Sequence, residues 1–384
     1  MTKAKLVAVT ALAGLVGAAI ADRRGEARPL RSDRVVYVGT YTGETSQGIY
    51  AFRFDDSSGA LTPLGLAAET PSPSFLTSSA NGRVVFAVNE LQSFEGAASG
   101  SVTSFAADPV TATLARISVQ ASRGAGPCHL ALDRTGRYLA VANYGGGNFA
   151  LFPVGADGRL EPATTVVAGD ESDPVRSTAA VRLGHMVGFD AHNHFLLAAD
   201  KGLDRLLVYR FDASTGSLAS GRPISAVLPP GSGPRHFAFH PNNQWLFAIS
   251  EQAATITTFA WDGSSGRLTS GGSVSTRPAD VATGTTAEIA VHPNGRFVYG
   301  SNRGHDSIVV FRVGGGGVLT LVQYESTRGH TPRHFAIDPS GRWLIAANQQ
   351  SGTLAVFSID QNTGRLSPVG PLTSVGSPAA ILFM

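Results

Sequence analysis

The sequence PRHFAIDPSGRWLIAAN, residues 332–348, occurs three times in this chain with small changes. It returns as PRHFAFHPNNQWLFAIS at residues 234–250 and as PCHLALDRTGRYLAVAN at residues 127–143. Weaker copies occupy residues 73–89, 184–200 and 286–302. Each copy has a short apolar segment, a turn containing Gly, Asn or Pro, and a second segment of alternating apolar residues. This pattern predicts a β-hairpin.

Two further segments follow each hairpin. The first alternates apolar and polar residues and ends on an aromatic residue, as in 256–259 and 308–311, and a turn then leads into a fourth segment. The second strand of successive units ends at seven landmarks that are 46 to 57 residues apart: Thr40, Asn89, Asn143, Asp200, Ser250, Asn302 and Asn348. Seven four-stranded units of this period predict an all-β fold, a seven-bladed β-propeller.

The two ends of the chain complement each other. Residues 32–42 contain a second strand with no first strand before it, whereas residues 378–383 form a first strand with no second. Placed side by side they complete one blade from both termini, which removes the open edge of the ring. Two β-sandwiches are the alternative architecture, but they do not explain complementary ends or a landmark that recurs seven times.

The first thirty residues have the pattern of a secretory signal peptide. Lys3 and Lys5 precede an apolar run from 6 to 21 that ends Ala-Ile-Ala before Asp22, and this order is typical of a cleaved signal. An uncleaved anchor is the alternative, but the run is shorter than the roughly 20 residues that cross a bilayer. We therefore predict a signal peptide at 1–21 and a single propeller domain at 22–384, periplasmic or secreted and not membrane-bound after cleavage.

Charge and composition narrow the choice of partners. The chain has 30 Lys and Arg against 28 Asp and Glu, and Lys3 and Lys5 account for the excess. A chain without a basic excess is not typical of a nucleic-acid binder. A single cysteine, Cys128, excludes an internal disulfide framework. The expected partner is a small molecule.

Polar residues recur at three offsets of the repeat that should face the central channel. The first offset holds Cys128, His185, Arg235, Ala287 and Arg333. The second holds His129, Met186, His236, Glu288 and His334. The position directly after the landmarks holds Glu90, Tyr144, Lys201, Glu251, Arg303 and Gln349. From these columns we single out His185, Arg235, Glu251 and Arg303 as the candidate functional group, with seven further candidates for binding a substrate: His129, His236, Glu288, Arg333, His334, Glu90 and Gln349.

The residues alone leave several interpretations of these columns open. His129, His236 and His334 are expected either to hydrogen-bond the backbone of neighbouring blades or to face a ligand. Imidazoles also bind zinc and copper, but histidines on separate blades have no ligand spacing that a sequence can verify. Two guanidiniums beside a carboxylate indicate a site for an anion or a developing oxyanion. Salt bridges between blades are the structural alternative for the same residues.

At these residues the sequence resembles the seven-bladed lactonase family that contains the bacterial propeller-type 6-phosphogluconolactonase and the fungal 3-carboxymuconate-lactonising enzyme. The resemblance spans 38–378, and its most specific segments are 233–236, 250–251, 287–303, 331–334 and 347–350. It implies a lactonase that needs no metal or cofactor. The family's proposed catalytic histidine, two arginines and glutamate fall on His185, Arg235, Arg303 and Glu251.

The chain departs from the family pattern at two positions. Family members commonly carry Pro-His-x-His where this chain has Arg182-Leu-Gly-His185, so the second histidine is kept and the first is lost. Glu288-Ile289 replaces a more usual Asp-Ile. The loss of the first histidine bears on the identity of the substrate more than on activity, whereas the change to Glu288 is conservative and gives the carboxylate a longer reach.

The resemblance implies a hydrolysis in which Glu251 or His185 activates water while Arg235 and Arg303 stabilise the oxyanion. The expected substrate is a sugar-derived or aldonic lactone, since phosphorylated intermediates are cytoplasmic and this chain is expected to be exported. Three alternatives stay open: a non-catalytic periplasmic propeller that binds a ligand or protein, a lactonising enzyme of the muconate type, and a redox or metal propeller.

Overall fold

Antiparallel β-strands build the protein, whose structure is a computed structural model. It describes residue 1 and residues 33–168, 181–219 and 223–384. The signal peptide predicted at 1–21 lies outside the described residues, apart from Met1. In the ranges that the structure does describe, no helix is long and apolar enough to span a bilayer.

The strands group into seven sheets, which we number as blades in chain order. Blade 1 contains β29 (Pro378–Phe383), β1 (Asp33–Thr40), β2 (Gly48–Asp55) and β3 (Leu61–Glu69); blade 2 contains β4 (Leu76–Ser78), β5 (Val84–Asn89), β6 (Ser101–Ala107) and β7 (Leu114–Ala121); blade 3 contains β8 (Pro127–Leu132), β9 (Tyr138–Asn143), β10 (Asn148–Pro153) and β11 (Thr165–Ala168). Blade 4 contains β12 (Gly184–Phe189), β13 (Phe195–Asp200), β14 (Arg205–Asp212), β15 (Ser217–Leu218) and β16 (Ile224–Val227).

The remaining three blades have four strands each. Blade 5 contains β17 (Pro234–Phe239), β18 (Trp245–Ser250), β19 (Thr255–Asp262) and β20 (Arg267–Ser275); blade 6 contains β21 (Thr285–Val291), β22 (Phe297–Arg303), β23 (Ser307–Val313) and β24 (Leu319–Ser326), with a 3₁₀ turn at Gly315–Gly317; blade 7 contains β25 (Pro332–Ile337), β26 (Trp343–Asn348), β27 (Thr353–Ile359) and β28 (Leu366–Ser374). The all-β seven-bladed propeller predicted from the repeats is confirmed.

The last strand closes the ring as predicted. β29 pairs antiparallel with β1, and the register sets Val36 opposite Phe383 and Gly39 opposite Ala380. Blade 1 therefore takes its innermost strand from the end of the chain and its other three from the beginning. Because the inner edge of β1 is paired, closure leaves no free strand edge there.

The structure explains why asparagine recurs among the landmark residues, which the repeat pattern alone does not. The side-chain amide of Asn143 donates to the backbone oxygen of Ser122 at 2.8 Å, and that of Asn302 donates to Thr276 at 2.8 Å. Each bond ties the end of a second strand to the segment that arrives from the preceding blade. A buried carbonyl on that segment is satisfied in this way, which is why asparagine recurs at the position.

Apolar side chains fill the space between neighbouring blades. At the junction of blades 7 and 1, for example, the buried cluster includes Phe52, Phe54, Trp343 and Ile345. Trp343 also donates its indole N–H to the backbone oxygen of Asp56 at 3.0 Å. The blades are thus fixed against one another by alternate residues of their strands, and the first residues of the innermost strands are left to face the channel.

Candidate active site

A β-bulge at the start of the innermost strands brings consecutive polar residues into the channel. In β17, Pro234 pairs with Ser250 and His236 pairs with Ile249, so Arg235 is an extra residue in the ladder. The register shifts at the same place in β8, β12, β21 and β25. A bulge breaks the alternation of a strand and redirects a side chain. The first and second sequence columns therefore both contribute to one site.

Glu251 is the centre of a group of cations. Its Oε1 lies 2.8 Å from Lys201 Nζ and 3.1 Å from Arg303 Nη2, and its Oε2 lies 3.3 Å from Arg235 Nε. Blades 4, 5 and 6 each supply part of this group. We call these four residues the Glu251 cluster; the structure brings three of the four predicted catalytic residues together in it.

The charges of the Glu251 cluster act on one another. Burial raises the pKa of Glu251, but the neighbouring Arg235, Arg303 and Lys201 outweigh it and lower that pKa to about 2. The pKa of Arg235 is lowered to about 10 by burial and by the positive charges of Arg333 and Arg303. Glu251 is therefore held as a carboxylate at neutral pH, and the guanidiniums repel one another.

Four histidines form a layer of rings next to the cluster. His236 contacts His185 and His129, with ring centroids 5.1 Å apart in both pairs. Phe75 stacks against His129 at 4.0 Å and meets His334 edge-on at 5.4 Å. All four histidines are buried. Since Arg235 Nη1 lies 3.4 Å from His236 Nε2, this layer adjoins the Glu251 cluster.

Glu288 joins two of these histidines. Its carboxylate oxygens lie 3.0 and 3.1 Å from His236 Nδ1, and Oε2 lies 3.4 Å from His334 Nε2. His334 Nδ1 accepts the backbone N–H of Ile381 at 3.2 Å, so Nε2 carries the proton of the neutral ring and faces Glu288. Burial raises the pKa of Glu288. His236, His334 and Glu288 are thus held by one another beside Arg235.

His185 stands apart from that network. Its Nδ1 is buried, and none of the residues that the structure describes forms a hydrogen bond with it. Burial, and next the charge of Arg235, lower its pKa well below the usual 6.5. The ring is therefore neutral at neutral pH and one of its nitrogens is an unused acceptor.

A second carboxylate, that of Glu90, is surrounded by residues from blades 7, 1 and 2. Glu90 Oε2 accepts the Tyr41 hydroxyl at 2.7 Å and the Ser74 hydroxyl at 2.5 Å, and Arg333 Nη2 lies 3.6 Å from it. The guanidinium of Arg333 also lies over the Tyr41 ring, 5.1 Å from its centroid. We call these four residues the Glu90 cluster.

The structure places most predicted site residues in these three groups. Gln349 is the exception: its side chain contributes to a separate groove with Thr331, Gln350 and Ser377. The sequence prediction left out Lys201, Tyr41, Ser74 and Phe75. The repeat alignment could have identified these four residues. Lys201 and Tyr41 directly follow landmark residues, and Ser74 and Phe75 occupy in blade 2 the positions that Cys128 and His129 occupy in blade 3.

The histidines were also considered as metal ligands, and the single cysteine, Cys128, lies buried beside them. Cys128 donates to the backbone oxygen of His185 at 3.3 Å, and burial raises the pKa of its thiol, so it is not a reactive thiolate. Among the described residues, no three His, Cys, Asp or Glu side chains are arranged to hold a metal ion.

The histidine layer predicts how stability depends on pH. Burial lowers the pKa of His129, His185 and His236 well below 6.5, and that of His334 to about 4. Below pH 6.5 the unfolded chain binds protons that the folded protein does not, so the free energy of unfolding falls as the pH falls. We expect a loss of about 1.4 kcal/mol per pH unit for each proton taken up. Urea unfolding at pH 7.5, 6 and 5 measures the free energy of unfolding, and equal stability at the three pH values contradicts the prediction.

The chain is similar to known proteins over most of its length. A family model described as "Lactonase, 7-bladed beta-propeller" matches residues 35–383. A 6-phosphogluconolactonase of Bacillus subtilis is 32% identical over 350 residues, which cover 91% of this chain and 97% of that protein.

Two solved structures are similar over almost their whole length. A periplasmic gluconolactonase of Pseudomonas aeruginosa is 34% identical, with a TM-score of 0.84 over 92% of this chain and 99% of the other. A putative 6-phosphogluconolactonase of Bacteroides fragilis is 33% identical, with a TM-score of 0.83 over 92% of this chain and 98% of the other.

Proposed function

The chain belongs to the seven-bladed β-propeller lactonase family and is a lactonase, and on that premise we propose that it hydrolyses a sugar-derived lactone in the central channel, with His185 as the base. The substrate is a cyclic ester of an aldonic acid, as the names of its relatives suggest. Attack of water on the carbonyl carbon gives a tetrahedral oxyanion. The ring oxygen then leaves as a hydroxyl group and the product is a hydroxy acid.

The observation that supports His185 is its free imidazole. Its buried Nδ1 has no hydrogen-bond partner among the described residues, and the low pKa keeps the ring neutral and able to take a proton from water. A base of low pKa is weak, but negative charge that develops on the substrate raises the pKa of a nearby imidazole. The proton accepted from water then passes to the leaving ring oxygen.

Glu251 is less suited to the role of base. Its two oxygens face three cations and its pKa is about 2, so it holds a proton poorly. Its role is to position Arg235 and Arg303. Arg235 Nη1 donates to Ala287 O and Arg303 Nη2 donates to Thr286 O, both at 2.8 Å, while the other terminal nitrogen of each has no hydrogen-bond partner in the described part of the chain. These donors suit the oxyanion.

The location we propose is the periplasm or the exterior of the cell. The support is the pattern of residues 1–21, typical of a signal peptide, together with a relative named as a periplasmic gluconolactonase. An exported enzyme meets lactones of free sugars more readily than those of phosphorylated intermediates, so unphosphorylated lactones have to be tested beside the 6-phosphate.

A panel of three lactones tests this function. We expect purified protein to accelerate acid release from δ-gluconolactone, its 6-phosphate, or both, above the spontaneous rate, and to leave a muconolactone intact. A pH-stat follows the reaction. Acceleration with the muconolactone alone would point to the lactonising alternative, and no acceleration with any of the three would contradict the proposal.

A further inference from the structure

Arg333 differs from the other guanidiniums of the channel in how its donors are used. Arg235 and Arg303 each donate to a backbone oxygen at 2.8 Å. Arg333 donates no hydrogen bond to any of the residues that the structure describes. Its shortest charged contact, to Glu90 Oε2, is 3.6 Å, which is too long for a hydrogen bond.

The Arg333 side chain is nevertheless held in place. The face of its guanidinium lies against the Tyr41 ring, and the Tyr41 hydroxyl is fixed by its bond to Glu90. Stacking on an aromatic ring stabilises a cation through the face of the guanidinium, so the N–H groups at its edge are not used. The side chain is 15% exposed, and a positioned group with unused donors is suited to bind a ligand.

The charge around Arg333 favours a ligand that is negative. Four cations, Lys201, Arg235, Arg303 and Arg333, outnumber the three carboxyl groups that they adjoin, those of Glu251, Glu90 and Glu288. The charge of Arg333 contributes to the lowered pKa of Arg235, so the two guanidiniums are near enough to repel. An anion bound at Arg333 relieves that repulsion.

We propose that Arg333 is the residue with which this protein recognises a negatively charged group on its substrate, and that it sets the preference for an anionic lactone over a neutral one. The inference rests on the proposed function, because it assigns substrate specificity to the same channel. The anionic group is a phosphate monoester or a carboxylate, both of which a planar guanidinium can bind with two hydrogen bonds. Glu90 and Tyr41 act as positioning residues.

Three lactones with the same ring test the proposal, since they differ only at carbon 6. δ-Gluconolactone is neutral there, its 6-phosphate carries a phosphate, and the 1,5-lactone of glucaric acid carries a carboxylate. We expect Arg333→Met to lower kcat/KM for at least one anionic lactone about 10- to 100-fold, mainly by raising KM, and to change the neutral lactone less than about threefold. Arg333→Lys should recover part of the loss, because it restores the charge without the planar fork.

Arg267→Ala is the matched control, since Arg267 is exposed on the outer strand β20. An equal loss of kcat on all three lactones would overturn the inference, because Arg333 would then act on the oxyanion. An unchanged kcat/KM for every lactone would overturn it as well. Calorimetric titration of the products, 6-phosphogluconate, glucarate and gluconate, gives a readout that does not depend on turnover. If no lactone is hydrolysed, the proposed function fails, while weaker binding of an anion to Arg333→Met still supports the role of Arg333. Equal binding of every anion to both proteins overturns it.

Discussion

We expect Glu251→Gln to lower kcat/KM for lactone hydrolysis by about 10³-fold and the free energy of unfolding by about 3–5 kcal/mol. The amide keeps the size of the side chain but removes the negative charge between Lys201, Arg235 and Arg303. Three cations are then left facing one another in a largely buried position, and their repulsion displaces the two guanidiniums that are proposed to hold the oxyanion. Steady-state kinetics and urea unfolding measure the two effects.

A double substitution separates this electrostatic cause from a general packing defect. Lys201→Met removes one cation, so we expect the Glu251→Gln/Lys201→Met protein to be more stable than Glu251→Gln alone, which a lost packing contact does not predict. Glu69→Gln, on an exposed position of β3, is the control for loss of a carboxylate. If Glu251→Gln stays within about threefold in kcat/KM and about 0.5 kcal/mol in stability, Glu251 does not have this role.

The fold was predictable because its cause is repeated in the sequence. A blade buries its apolar residues only against its neighbours, so the same alternation and the same turn recur seven times, and closure of the ring requires the two ends to complement each other. The pairing of β29 with β1 confirms that inference. Even the landmark asparagines are explained by a bond that each blade needs, as Asn143 and Asn302 show.

The site was predictable only in part, because it depends on differences between the repeats. Alignment of the blades identified the columns that face the channel, and with them Arg235, Glu251 and Arg303. It did not predict the bulge that lets Arg235 and His236 both face the channel, because one extra residue in a ladder leaves the apolar pattern almost unchanged. Nor did it predict that Lys201 shares a carboxylate with two arginines, since that contact joins three blades.

The division of roles among the arginines depends on geometry that a sequence does not contain. Arg235 and Arg333 occupy the same position in the repeat, and each directly follows a proline, so the sequence pattern does not distinguish them. In the structure Arg235 donates to the backbone oxygen of Ala287, whereas Arg333 lies over the Tyr41 ring and donates no hydrogen bond within the described ranges. The difference arises from what the adjoining blades place beside them.

We expect His185→Asn to lower kcat roughly 10²–10⁴-fold with little change in KM, because a base acts on the proton that moves in the transition state and not on the bound lactone. Asparagine keeps a polar side chain in the layer but has no nitrogen that accepts a proton at neutral pH. The exposed turn residue His192 provides the control, as His192→Asn. A rise in KM at unchanged kcat would make His185 a binding residue only.

The pH profile distinguishes His185 from Glu251 as the base. Burial and the charge of Arg235 lower the pKa of His185 well below 6.5, so kcat/KM of the wild type should stay level as the pH falls through 6.5. It should decline only where the imidazole of the folded protein takes up a proton, because the protonated ring no longer accepts one from water. His185→Asn should lack that acidic decline. An identical decline in the variant would show that another group, with Glu251 the next candidate, titrates there, and the assignment of His185 as the base would be wrong.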